Sequence, residues 1–380
     1  MRRALIGGKA MASLFLKNIG KTYRGGAQAV RNFNLEIDDN DFIALVGPTG
    51  SGKTALLRMI AGLDDITAGE ILIDDKPINL IPARQRDVQL VDKNARFNRF
   101  FRLRRGMAKG LAGTKAEIAA RVQEAAAMLG IEDLLDRKPR TLTGAQLVRA
   151  ALARAIASRP KVILLDDTLS ILAPEEKAQA RTELCDLQRR LSTTFIYATR
   201  DQADAMMMGT RVVVMHEGAI QQEDTPQNLY DYPANLFVAR YIGAPGMNIF
   251  RVKLAKHADG VFAEFGDNAI RVPTGKIQRM TGDYIGKEVY MGIHPENLHD
   301  ESAFLSAYPE SALEVSVKTV ERMGASTYLH IAAPGWDENF IACVDPRTNC
   351  REGDQIPIGF DVNRLHFFDA SSEKTILSRD

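Results

Sequence analysis

Between Ser13 and Val91 the chain carries short runs whose apolar and polar positions suit β-strands: SLFLKN, FNLEI, FIALVG, ILIDD and VQLV. FIALVG is continuously apolar, the pattern of a strand buried on both faces of a parallel sheet. The period then lengthens. Ala116 to Leu129 and Gln146 to Ala157 are rich in Ala and Leu and nearly free of Gly and Pro, so residues 94–157 are predicted to form an inserted helical region. VILLD, TFIYAT and RVVVMHEG follow as strands separated by helices, which predicts an α/β domain with a mainly parallel sheet over 11–243. From about Ala244 the runs shorten and are broken by Gly, Pro and Asp, as in GDYIGKEVYMGI and GDQIPIGFDVNRLHFF. This predicts a second, all-β domain of small-barrel type over 244–380.

Composition adds limits rather than detail. A length of 380 residues suits one larger and one smaller domain. Lys plus Arg number 49 against 48 Asp plus Glu, so no global field recruits nucleic acid or an anionic membrane. The three cysteines lack paired or metal-type spacing, which fits a reducing compartment. No apolar segment approaches the roughly 18 residues that span a bilayer, and the N-terminus lacks a secretory pattern, so a soluble cytosolic protein is the default expectation. MRRALIGGKA precedes a second methionine, Met11, and residues 1–10 are expected to be an extension outside the fold or a mis-set start.

Candidate chemistry begins at GPTGSGKT, comprising Gly47, Pro48, Thr49, Gly50, Ser51, Gly52, Lys53 and Thr54. It follows FIALV, opens the helical stretch ALLRMIAGL, and satisfies G-x-x-x-x-G-K-[ST] in the strand, loop, helix context that gives the motif meaning. Backbone N–H groups would converge on phosphate oxygens, Lys53 would reach the β and γ phosphates, and Thr54 would present its hydroxyl to Mg²⁺. A second site is LLDDTLSILAP, where an apolar run ends in Asp166 and Asp167. Asp166 is placed like the acid that orients Mg²⁺ in P-loop NTPases.

With these elements placed, the chain resembles the ATP-binding subunits of ABC transporters from Met11 to the C-terminus. Tyr23, in GKTYRGG, falls where that family stacks an aromatic on adenine. RTLTGAQLVRAALARAIA occupies the place of the signature motif LSGGQ and its helix, which implies nucleotide contacts for Leu142, Thr143, Gly144, Ala145 and Gln146. KVILLDD matches the acidic strand, and FIYATRDQADAM the segment that carries the family's switch histidine. The tail, with TPQNLYDYPANLFVARYIGAPGMNIF, VYMGIHPENLHD and DVNRLHFFD, is similar to the OB-like (TOBE) regulatory β-domain of the maltose-type ATPases. The resemblance implies an ABC ATPase fold with a helical subdomain, ATP and Mg²⁺ as cofactors, and head-to-tail pairing with a second ATP-binding subunit in a homo- or heterodimer. It further implies permease subunits as partners, indirect work with a solute-binding protein, and a peripheral place on the cytoplasmic face of the membrane. The cargo class it implies is carbohydrate, polyol or glycerol phosphate.

The departures from the family pattern fall on positions that touch the γ-phosphate. Thr143 and Ala145 replace Ser and the second Gly of LSGGQ, and the added methyl is expected to weaken phosphate clamping. Lys93 aligns with the glutamine of the Q-loop, so a donor-only cation replaces an amide oxygen able to ligate Mg²⁺. Asp167 stands where the family has the glutamate that polarises water; one methylene less withdraws the carboxylate by about 1.5 Å, and misplacement on the order of 1 Å can cost roughly 10²-fold. Arg200 replaces the switch histidine, and Ala173 an aspartate of the following loop. One reading treats these as tolerated drift; the preferred one is a degenerate subunit that binds ATP but hydrolyses it poorly, because such groups act as a unit. A non-hydrolysing nucleotide-dependent scaffold or regulator is the competing class. The basic stretch RFNRFFRLRRGMAK, Arg96 to Lys109, is preferred as a permease contact over an RNA or lipid site, against the bland reading of a solvated helical face.

Overall fold

The computed structural model describes residues 13–94, 96–336 and 338–379; the expectation for residues 1–10 lies outside them. The chain divides into two compact units, up to Pro226 and from Gln227 onward. In order, the first unit contains β1 (Leu14–Thr22), β2 (Gln28–Ile37), β3 (Phe42–Val46), α1 (Lys53–Ile60), β4 (Ala68–Ile73), β5 (Lys76–Pro77) and β6 (Val88–Asp92). It continues through α2 (Leu103–Ala108), α3 (Lys115–Met128), α4 (Gly144–Ala157), β7 (Val162–Asp166), α5 (Pro174–Leu191), β8 (Thr194–Thr199), α6 (Gln202–Met208), β9 (Arg211–His216) and β10 (Ala219–Asp224).

Every residue of β3 is buried, as its unbroken apolar sequence requires, because the strand lies between β8 and β9 in a six-stranded sheet of order β10-β9-β3-β8-β7-β6. All neighbours in that sheet run parallel except the β9/β10 hairpin. Side-chain alternation sorts two cores: Ile163, Leu165, Phe195 and Tyr197 face the helices α2 to α5, whereas Val162, Leu164, Ile196 and Ala198 face α1 and a four-stranded antiparallel sheet, β2-β1-β4-β5. Each such fully buried aliphatic side chain stabilises the fold by roughly 1.5–3 kcal/mol. The helical insert is pinned at both ends by the sheet, since β6 leads into it and β7 leaves it while pairing directly with β6. The basic stretch is not one helical face: residues 96–102 are turns and extended chain, and only α2 is helical.

The second unit carries two five-stranded antiparallel sheets around one apolar core that includes Phe250, Val289, Ile331 and Phe360. Helix Leu236–Tyr241, which precedes the barrel strands, packs on it through Leu236 and Ala239 against Met247 and Phe368. Helix Pro226–Asp231 is tied in by Tyr230, whose ring stacks on His294 at 3.9 Å. Among the described residues, no helix is long and apolar enough to cross a membrane.

Candidate functional site

β3 ends in the loop Gly47–Thr54, and its path is dictated by glycine. A Cβ on Gly47 would sit 2.2 Å from the Met215 carbonyl oxygen, and one on Gly52, where φ is 99°, 2.4 Å from that of Ala29. Neither position accepts a side chain without moving backbone. Gly52 caps α1 without a side-chain hydrogen bond, which leaves the first amides of the helix available to an anion. Lys53 Nζ donates to the carbonyls of Gly47 at 2.7 Å and Pro48 at 2.9 Å and to Ser51 Oγ at 2.9 Å. Burial pushes its ammonium down to about 8, against the opposing pull of the Asp166 and Asp167 carboxylates.

The loop forms one wall of a cleft of about 660 Å³, which Thr49, Gly50 and Ser51 also line. Tyr23, 43% exposed, stands at its rim, with the Lys21 ammonium 5.1 Å from the ring centroid. The opposite wall is the carboxyl edge of the parallel sheet, where β6 and β7 pair Asp92 with Asp166 and β8 sets Ala198 beside Asp166. Thr54 Oγ1 donates to Asp166 Oδ1 at 3.1 Å. Burial raises the Asp166 carboxyl, and the Thr54 hydroxyl partly offsets that effect. A hydroxyl and a half-buried carboxylate that already converge fit Mg²⁺ as oxygen ligands. Lys93 does not fit as a third: it has no lone pair, and its Nζ lies 2.6 Å from Asp167 Oδ2.

Asp167 adopts a left-handed backbone, φ 53°, and its N–H donates to the Ala198 carbonyl at 2.8 Å. Its carboxylate therefore sits between two cations, Lys93 and Arg200, whose Nη2 approaches to 3.8 Å. The segment bearing Arg200 is anchored from α5. Lys177 Nζ reaches Asp201 at 3.0 Å, Arg181 Nη1 reaches Asp204 at 2.9 Å, and Tyr197 Oη donates to the same Asp204, which is 1% exposed. Sequence reasoning overlooked these anchors, although Lys177 and Arg181 have the i, i+4 spacing that places them on one helix face. It also overlooked Asp92 as a lining residue.

Leu142, Thr143, Gly144, Ala145 and Gln146 are not among the residues that line this cleft. They form the start of α4, where Thr143 Oγ1 accepts from the Gln146 N–H at 3.2 Å and Gln146 Oε1 accepts from the Thr143 N–H at 3.0 Å. Ala145 lies in the first turn of that helix and is absent from the residues of positive φ, so no glycine-type dihedral is demanded there. The methyl borders an apolar cavity with Val148, Leu169 and Leu172. Ala173 opens α5. In the basic stretch, guanidinium groups cover the aromatic rings: Arg105 lies 3.9 Å over Phe101, Arg99 5.0 Å over Phe100, and Arg154 4.9 Å over Phe97. Phe97, Phe101, Arg105 and Arg154 line a groove of about 520 Å³.

A glycine-built phosphate loop at the carboxyl edge of a parallel sheet, an acidic strand beside it and a helical insert between β6 and β7 define a P-loop ATPase of the ABC class. The ABC transporter family model matches residues 30–170, the MalK OB fold domain residues 243–298, and the TOBE domain residues 291–368. The chain belongs to the ATP-binding subunits of ABC transporters. It is 41% identical over 371 residues to the oligosaccharides import ATP-binding protein MsmX of Bacillus subtilis (strain 168), covering 96% of this chain and 100% of the relative. It is 39% identical over 372 residues to the sn-glycerol-3-phosphate import ATP-binding protein UgpC of Cupriavidus metallidurans, covering 96% and 99%. Among solved structures, cbiO1 from Clostridium perfringens, part of the ABC transporter complex cbiONQ, superposes with a TM-score of 0.53 at 26% identity over 57% of this chain and 89% of that one. The dimeric ATP-binding cassette MJ0796 bound to ADP and Pi does so with a TM-score of 0.51 at 28% identity over 56% and 98%.

Proposed function

We propose that this chain is the ATP-binding motor subunit of an importer for carbohydrate, polyol or glycerol phosphate, working on the cytoplasmic face of the membrane. The observation that carries the reading is the convergence of Lys53, Thr54 and Asp166 on one cleft in a chain that aligns end to end with import ATP-binding proteins. Tyr23 packs on adenine, the amides of Gly47 to Thr54 and the Lys53 ammonium hold the phosphates, and Thr54 and Asp166 hold Mg²⁺. Bound Mg²⁺ supplies charge neutralisation on the β and γ phosphates. The ATP-binding domain, expected over 11–243, carries its helical subdomain at 94–157, and the regulatory β-domain, expected over 244–380, takes in the segment from Gln227 that folds with it. Leu142 to Gln146 serve the nucleotide of a second ATP-binding subunit, identical or paralogous. The Arg-covered aromatic groove at Phe97 and Phe101 receives the permease, and a solute-binding protein delivers the cargo.

Hydrolysis by this chain is slow. Asp167 is one methylene short of the family's glutamate and is clasped by Lys93 and Arg200. The relatives favour an importer subunit, and no observation favours a scaffold. The test is ATP binding against steady-state turnover by the purified protein alone. Tight binding with turnover near background is expected. Ready hydrolysis would overturn the slow step, and unmeasurable binding would overturn the whole reading.

A further inference from the structure

The lining of the cleft carries an unusual balance of charge. Apart from Arg58, which is paired with Asp64 at 2.8 Å, its cations are Lys53, Lys93 and Arg200 and its acids are Asp92, Asp166 and Asp167, three against three. A glutamine at 93 and a neutral histidine at 200 would leave one cation against three acids. That deficit of two positive charges is what one divalent cation makes up. Here the two extra charges belong to side chains that already meet the acids, Lys93 Nζ at 2.6 Å and Arg200 Nη2 at 3.8 Å from the same Asp167 Oδ2.

We infer that Lys93 and Arg200 act as built-in counter-ions that replace the charge of Mg²⁺ in nucleotide binding, so that this chain takes up metal-free nucleoside triphosphate nearly as well as the magnesium complex. The inference rests on the ATP-binding reading above and deepens it. Lys93 follows Asp92 at the end of β6, beside the acidic end of β7, so its ammonium reaches the cleft from the strand edge without a loop rearrangement. An ammonium neutralises a phosphate oxygen by donating hydrogen bonds and has no vacant orbital with which to coordinate it. A guanidinium adds a second fixed charge that no change of pH near neutrality removes.

The experiment is a thermodynamic cycle between metal and side chain. Binding of a fluorescent ATP analogue to the full chain is measured with Mg²⁺ and with EDTA, for the unmodified protein, for K93Q/R200H and for D167N. The ratio of the two dissociation constants should stay within about threefold for the unmodified protein and rise at least tenfold in K93Q/R200H, through weaker metal-free binding. D167N should shift the opposite way and tighten metal-free binding several-fold, because it removes a carboxylate that competes with phosphate for the two cations. If K93Q/R200H does not fold, the unmodified protein and D167N decide the question. A tenfold or greater requirement for Mg²⁺ in the unmodified protein, or equal ratios in protein and variants, would overturn the inference and leave the ATP-binding reading intact. No binding under either condition would overturn both.

Discussion

On one wall of the cleft, Lys53 is held by the carbonyl oxygens of Gly47 and Pro48, and the first turn of α1 has no side-chain cap on its amides. On the other wall, Lys93 and Arg200 meet Asp167 through side chains, and the Asp166 side chain reaches across to Thr54. The first wall depends on conformation, which two glycines enforce by excluding any Cβ. The second depends on the identity of each residue, so a few substitutions rewrite its chemistry while the fold beneath it is unchanged. The side-chain wall can therefore lose its hydrolytic geometry at Asp167 while its charges, together with the loop wall, still favour a bound nucleotide.

The contrast can be broken most strongly from behind the side-chain wall. Arg181→Met should leave the buried Asp204 carboxylate without its cation and cost about 3–5 kcal/mol of stability, read by chemical denaturation. A loss below about 1 kcal/mol would mean that the anchor under Arg200 is not needed. On the loop wall, Lys53→Ala should weaken ATP about 100-fold, since a charge-assisted contact to phosphate is lost, with little change in folding. Calorimetric titration checks this, and an unchanged affinity would remove Lys53 from the binding wall.

The smallest effect contrasts the cleft with the second unit, where buried ionisable groups are kept neutral rather than paired. Burial lowers His294 to about 4, well below its ordinary 6.5. Its folded state thus binds fewer protons than the unfolded chain between those values, so stability is full above about pH 6.5 and falls as the pH drops toward 4. One unit below 6.5 this costs about 1.4 kcal/mol, a share that His294→Phe should remove while keeping the stack on Tyr230, leaving the like share of the neighbouring His366, which burial lowers to about 3. Trp336 is the chain's one tryptophan and packs against Phe265 in this unit, so its fluorescence during unfolding at pH 7.5 and 5.5 reads the difference directly.

The strands of both units were legible because burial imposes period-two or continuous apolar runs, and FIALV and VILLD read as buried strands for that reason. The phosphate loop was legible because its glycines answer to steric demands that few other sequences satisfy. Position by position, Lys93, Asp167 and Arg200 were also visible as departures. Their meeting at one carboxylate oxygen was not, because it depends on strand register between β6, β7 and β8, which local pattern does not encode. The packing of helix Leu236–Tyr241 onto the barrel was hidden for the same reason, as its partner Phe368 lies far along the chain. At Ala145, where the family's motif has glycine, the residue sits in an ordinary helical turn.

The central claim, that binding is preserved and hydrolysis limited by the side-chain wall alone, is tested most directly by single-turnover hydrolysis of bound ATP in the unmodified protein and in D167E/R200H. Restoring the longer carboxylate and a titratable switch residue should accelerate the chemical step by about 100-fold with ATP affinity changed by less than about fivefold. Equal rates in the two proteins would contradict the account.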